Sequence, residues 1–249
     1  MCRHLAYLGP AVPLRELLFD APHALCRQAW APRDMRGGGT INVDGFGVGW
    51  FPDGAAEPVR YRRATPIWSD PSLAALAGAT ASGAVLAAVR SATVGMPVTE
   101  AAAAPFTDGP WLFSHNGKVT GWPDSMTALA ERLPVRDLLT LDAPTDSALL
   151  WALVRQRLRA GADPGAALRE TARAVSAAAP DSRLNLLLTD GRRVAATTRG
   201  HALSYVVRRD GVTVSSEPLD DDPGWEEVPP GHLLVATRSA LDLTSLEAS

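Results

Sequence analysis

The sequence predicts an α+β protein in which two β-sheets pack together and helices cover their outer faces. Two observations carry this. Short strand-like segments dominate residues 2–118, two helical patterns follow between residues 145 and 180, and short strands return from residue 183. The apolar share is 46% and the charged share 20%, enough to fill a sizeable core across 249 residues. No internal repeat or low-complexity linker divides the chain, so one domain over residues 1–249 is expected.

Each element has a local reason. Cys2 to Leu8 reads as a short buried strand ended by Gly9-Pro10. Val12 to Phe19 reads as a short helix, and residues 21–36 as a loop punctuated by Pro22 and Pro32. Cys26 in that loop is read as a partly buried thiol without chemistry. After Gly37-Gly38-Gly39, the glycines at 45, 47 and 49 lead into Trp50-Phe51-Pro52, a strand running into a turn. A dinucleotide-binding loop needs its glycines between a strand and a helix, so that reading is rejected. Alternating glycines leave one strand face bare, for close backbone packing or for a ligand. Tyr61 to Ile67 is a connector and Ser72 to Ala79 a short helix. Ala84 to Arg90 is an apolar run that reads as a central strand delivering Arg90 at its end.

Trp111 to Ser114 is another short apolar strand, ending in His115-Asn116-Gly117. Asp124 to Leu133 is helical. Thr145 is a natural N-cap for a helix whose Leu150, Leu153, Val154 and Leu158 share one face. Asp163-Pro164 starts a second helix, with Leu168, Ala172 and Val175 facing inward. Strands follow at 183–189, 193–198, 202–207, 212–216 and 232–237, with hairpin turns at Asp190-Gly191 and Asp210-Gly211. The acidic run Asp220-Asp221-Asp222 reads as a solvated loop.

Totals exclude several classes. The formal net charge is -3, so no global positive field favours nucleic acid. No apolar run reaches membrane-spanning length, and no early segment has the layout of a secretory signal. Two cysteines in a chain this long do not make a disulfide framework, and no CxxC pair exists. The expected setting is the cytoplasm, where a free thiolate survives. No cofactor is expected. A metal on Cys2 and His4 has only two adjacent candidate ligands, so no metal site is assigned.

The candidate chemistry begins at the N-terminus. Met1 precedes a small residue, so its removal would leave Cys2 first, with a thiol and a free α-amine on one residue. That joins a nucleophile to a base. The alternative is an ordinary residue at a frayed end. Arg90 serves either a structural ion pair or a bidentate clamp on a carboxylate. Asn116 and Gly117 are the parts of an oxyanion hole, or of a common Asn-Gly turn. Asp146 suits the first turn of its helix, or faces a pocket and receives an ammonium. His115 orients Asn116 or simply packs.

Cys2, Arg90 with Thr93, Ser114-His115-Asn116-Gly117, Thr145-Asp146-Ser147 and Ser216-Glu217-Pro218 occur in the order found in class II glutamine amidotransferases, which the chain resembles over nearly its whole length. That family implies a four-layer αββα sandwich of the N-terminal-nucleophile hydrolase type. It implies Cys2 as nucleophile, with Asn116 and Gly117 as oxyanion donors. Arg90, supported by Thr93, would bind the substrate carboxylate, Asp146 its ammonium, and His115 would belong to the same substrate-binding group. Met1 to His4, Asn42 to Trp50, Val89 to Pro97 and Asp220 to Trp225 look like the branch that hydrolyses a γ-glutamyl amide in ergothioneine biosynthesis.

Many ammonia-transferring members carry Trp after the strand-end Arg and His-Gly after the Thr, where this chain has Ser91 and Val94-Gly95. The chain also ends without a synthase domain to receive ammonia. Both points favour a small-molecule γ-glutamyl substrate over glutamine, and Ser91, Ala92 and the glycines at 45, 47 and 49 offer room for a larger leaving group. A stand-alone glutaminase subunit and a non-catalytic γ-glutamyl-binding protein are the alternatives. Oligomeric state stays open, with a homodimer as one option.

Overall fold

The computed structural model describes residues 2–34, 36 and 41–247. Met1 and the Gly37-Gly38-Gly39 run lie outside the described residues. The elements in order are β1 (Arg3–Pro13), α1 (Leu25–Gln28), β2 (Phe46–Trp50), β3 (Val59–Arg63), α2 (Pro71–Ala79), β4 (Ala81–Val89), β5 (Phe106–Asp108) and β6 (Trp111–Lys118). Helices α3 (Thr127–Ala130), α4 (Val135–Leu139), α5 (Asp146–Arg159) and α6 (Pro164–Ala178) follow. The chain closes with β7 (Arg183–Thr189), β8 (Val194–Thr197), β9 (Ser204–Arg208), β10 (Gly211–Ser215), β11 (Glu226–Glu227), β12 (His232–Ala236) and β13 (Leu241–Ser245).

One sheet runs β11-β9-β10-β1-β4-β2-β3 and the other β13-β12-β8-β7-β6-β5, antiparallel wherever strands pair. Alternation along each strand sorts its side chains between two cores. On β1, Leu5 joins a core that also holds Leu25 of α1 and Leu73 of α2, while Ala6 and Leu8 join a second core. That second core lies between the sheets, because it also contains Leu112 of β6 and Leu187 of β7. A third core packs Phe113 and Leu188 of the second sheet against Trp151 of α5 and Leu168 of α6. Three cores separate four layers, helices–sheet–sheet–helices, as the sandwich expectation requires.

The helix caps match their sequence signals. Thr145 accepts from Ala148 N at 3.2 Å, and Asp163 accepts from Gly165 N at 2.8 Å. Several local expectations need correction. Val12 belongs to β1, which runs past a register shift between Leu8 and Val12 to Pro13; helical backbone follows over residues 14–20, so the expected helix is present but starts two residues later. The connector at Tyr61 is the edge strand β3, whose arginines alternate with Tyr61 and so disguise its strand pattern. The acidic run is not simply solvated, because Asp220 and Asp222 both accept from Arg208 at 3.0 Å and Asp221 accepts from Arg33 at 2.9 Å.

The glycines of β2 do not open space. A Cβ on Gly49 would sit 2.6 Å from Leu112 Cδ1, and one on Gly47 would sit 2.9 Å from Arg62 Cγ and 3.0 Å from Pro105 Cδ. These positions are bare because the neighbouring segments occupy the room, which removes Gly47 and Gly49 as space for a leaving group. Among the described residues, no helix is long and apolar enough to cross a membrane.

Candidate active site

The site forms where the inner faces of the two sheets reach their common edge. Cys2 and His4 share the strand face of Ala6 and Leu8, and Arg90 follows β4 in the parity of Ala84 and Leu86. Both ends are anchored by register, since Val89 pairs with Arg3 on one side and Phe46 on the other. The Cys2 thiol points to Ser91 O at 3.7 Å. Cys2, Arg90, Ser114, His115 and Ser147 line one narrow cleft of about 20 Å³. That is room for roughly one water, so a larger ligand must displace a wall. One wall is pinned by Arg90, whose Nη1 donates to Pro97 O at 2.8 Å.

Strand β6 divides its residues between two faces. Ser114 and Asn116 point between the sheets and His115 points toward α5. Asn116 is fully buried; its Nδ2 donates to Ser216 Oγ at 3.4 Å, while its Oδ1 is buried without a hydrogen-bond partner. Ser216 also accepts from His4 N at 3.0 Å, so it joins Asn116 to the strand that carries Cys2. His4 Nδ1 lies 3.2 Å from Ser114 Oγ across the two sheets. Burial, reinforced by His115, His201 and Arg3, lowers the His4 pKa to about 3, so this imidazole is neutral.

Gly117 closes the strand against β7. An added Cβ would overlap the Arg183 carbonyl oxygen and sit 2.6 Å from both Arg183 C and His115 Nε2. The direction of its N–H follows from strand alternation. Leu184 N donates to Arg199 O and Leu186 N to Thr197 Oγ1, both away from β6. Asn185, opposite Asn116, is therefore the residue that exchanges bonds with β6. The Gly117 N–H faces the opposite edge, where β5 pairs only with residues 111–113.

Asp146 is buried at the N-terminus of α5. Its Oδ2 accepts from Val119 N at 3.0 Å and its Oδ1 from Ser147 N at 2.7 Å. His115 is held at both ring nitrogens, with Nδ1 2.9 Å from Ser147 Oγ and Nε2 2.9 Å from Arg183 O. Thr93 stands apart, lining an adjoining pocket of about 380 Å³ with Lys118, Val119 and Trp122. The site thus joins Cys2, Arg90 and His115 in one cleft, with Asn116, Gly117 and Asp146 packed behind it.

The sequence reading assigned no role to Ser147 or Ser216. Each stands next to or within the motifs that carry the candidate site residues, and the only signal for it in the sequence is that hydroxyl. Nearby charge also has a structural use. Glu217 Oε2 accepts from Arg33 N at 2.9 Å and Asp34 N at 3.0 Å, and Arg3, on the outer face of β1, donates to Asp34 O. Among the described residues, no group of three or more His, Cys, Asp or Glu is placed to hold a metal ion.

This architecture and site define a class, and comparison with known proteins agrees. The model of the class II glutamine amidotransferases matches residues 14–213, and the chain belongs to that family. It is 44% identical over 247 residues to the γ-glutamyl-hercynylcysteine sulfoxide hydrolase of Mycobacterium tuberculosis, covering 99% of this chain and 97% of that one. It is 45% identical to the protein of the same name from Mycolicibacterium smegmatis, covering 99% and 100%. Among solved structures, a glutamine aminotransferase class-II domain protein from Silicibacter pomeroyi superposes with a TM-score of 0.71 at 27% identity, covering 99% of this chain and all of that one.

Proposed function

We propose that this protein hydrolyses the γ-glutamyl amide of γ-glutamyl-hercynylcysteine sulfoxide, releasing glutamate and hercynylcysteine sulfoxide. The substrate is suggested by the names of the mycobacterial relatives that match nearly the whole chain. One geometric observation carries the chemistry: Cys2 and Arg90 line the same cleft. A nucleophile and a carboxylate clamp in one cleft suit a substrate whose reacting carbonyl lies a few bonds from a carboxylate.

The mechanism starts from the chain that begins at Cys2. Its thiol passes a proton to its own α-amine and the sulfur attacks the γ-carbonyl, forming a C–S bond. The Asn116 side-chain N–H and the Gly117 backbone N–H donate to the oxygen that becomes negative. The C–N bond then breaks, the α-ammonium returns its proton to the departing amine, and a thioester remains. Water attacks the thioester, its proton is taken up by the amine, and the sulfur leaves to regenerate Cys2 and free glutamate. Arg90 holds the α-carboxylate throughout, and Asp146 holds the α-ammonium; Thr93, outside this cleft, is left without a direct contact.

The reading takes residues 1–249 as one amidotransferase domain acting on a small molecule in the cytoplasm. Its test is glutamate release by protein whose N-terminus is verified as Cys2. Fast release from the sulfoxide with little from glutamine supports it. Preference for glutamine replaces it with the ammonia-supplying glutaminase. A γ-glutamyl-binding protein is the answer if ligand binds without turnover and Cys2→Ala leaves affinity unchanged.

A further inference from the structure

We propose that Ser147 is a second acceptor for the substrate's α-ammonium, and that His115 is the positioning residue that turns its hydroxyl for the task. This rests on the reading of Asp146 as the ammonium's carboxylate. The Arg183 carbonyl oxygen has no hydrogen to give. His115 Nε2, 2.9 Å away, must therefore carry a hydrogen, and in the tautomer this fixes Nδ1 is the ring's acceptor. Ser147 Oγ has a single hydrogen and two acceptors in reach, that nitrogen at 2.9 Å and Asp146 Oδ1 at 3.3 Å, and the shorter contact takes it. Its lone pairs are left facing elsewhere.

Asp146 Oδ1 lies 3.3 Å from the same hydroxyl oxygen. With the serine hydrogen committed to His115, two oxygens that can only accept stand side by side. A donor with several N–H groups and a positive charge satisfies both, and an anion is repelled. The seat is rigid, because the carboxylate is fixed by two backbone N–H groups, Ser147 N at 2.7 Å and Val119 N at 3.0 Å. It is also in the right place. Ser147 lines the cleft of Cys2 and Arg90, whereas Asp146 is only 6% exposed and lies behind it. Ser147 is thus the member of the pair that an entering ammonium meets first.

The test uses full-length protein beginning at Cys2 and two probes, L-glutamate and glutarate, which differ only in the α-ammonium. Calorimetric titration gives both affinities whether or not the protein turns over any amide. Wild type should prefer glutamate. Ser147→Ala should cut glutamate affinity about tenfold, as loss of a hydrogen bond to a charged group does, with glutarate binding unchanged. Ser147→Thr, which keeps the hydroxyl, should restore it. Equal weakening of both probes, or no change in either, overturns the assignment to Ser147. Asp146→Asn should abolish the preference by itself. If it leaves the preference intact, the reading of Asp146 fails; if it abolishes the preference while Ser147→Ala does not reduce it, only the role of Ser147 falls. No preference in wild type overturns both.

Discussion

Replacing Gly117 with alanine should destabilise the fold and disable the site at once. The added methyl would overlap the Arg183 carbonyl oxygen and lie 2.6 Å from the carbon behind it. An ordinary contact between carbon atoms is about 3.5 Å, so β6 and β7 must part by roughly 1 Å. They cannot do so freely. Their register is continuous from Leu112–Thr189 to Lys118–Arg183, and both faces of the pair are packed into cores. Moving Arg183 also stretches its bond to His115 Nε2. Overpacking costs about 1–3 kcal/mol and a strained buried hydrogen bond about 1 kcal/mol more. A total near 3 kcal/mol corresponds to a fall in Tm of roughly 6–12 °C for a chain of this size. Calorimetry measures that shift, and steady-state kinetics should show kcat lowered by about 10²–10³ if Gly117 is the oxyanion donor proposed above. A Tm within 2 °C of wild type, by the same scale less than about 1 kcal/mol, would refute the packing argument.

Three further outcomes follow from the same geometry. Asn116→Ala should lower kcat by about 10²-fold with a smaller change in KM, because the oxyanion role proposed for it acts mainly in the transition state. Stability should fall as pH drops from about 6.5 toward 3, because the unfolded chain protonates His4 at its ordinary pKa while burial holds the folded value near 3. The unfolded state binds more protons in that window, and the His4 share of the loss reaches roughly 2 kcal/mol by pH 5; denaturant melts at pH 7 and 5 should show a shallower difference for His4→Gln. Arg90→Lys should raise KM for a γ-glutamyl substrate at least tenfold, since an ammonium cannot reproduce the bidentate contact proposed for Arg90, and steady-state titration reads it directly.

Much of this site was legible because its signals are local. The apolar run of β4 ends at Arg90, and the Thr145 cap fixes Asp146 on the first turn of α5. Strand parity then puts Cys2 and Arg90 on one face. The pairings of Ser147 with His115 and of Ser216 with Asn116 were not legible, for they join residues 32 and 100 positions apart. Edge elements were also missed. β3 and β13 read poorly because edge strands bury less of their side chains and so show weaker alternation. The β2 glycines were misread as room because sequence shows the missing side chain and not the Leu112 and Pro105 atoms that fill its place.

The most direct measurement is an acid-quenched intact mass of protein beginning at Cys2, taken during turnover of γ-glutamyl-hercynylcysteine sulfoxide. The account predicts one glutamyl group carried on Cys2, located by fragmentation and absent from Cys2→Ala. Turnover with no acyl adduct, or undiminished turnover by Cys2→Ala, would contradict the Cys2 thioester.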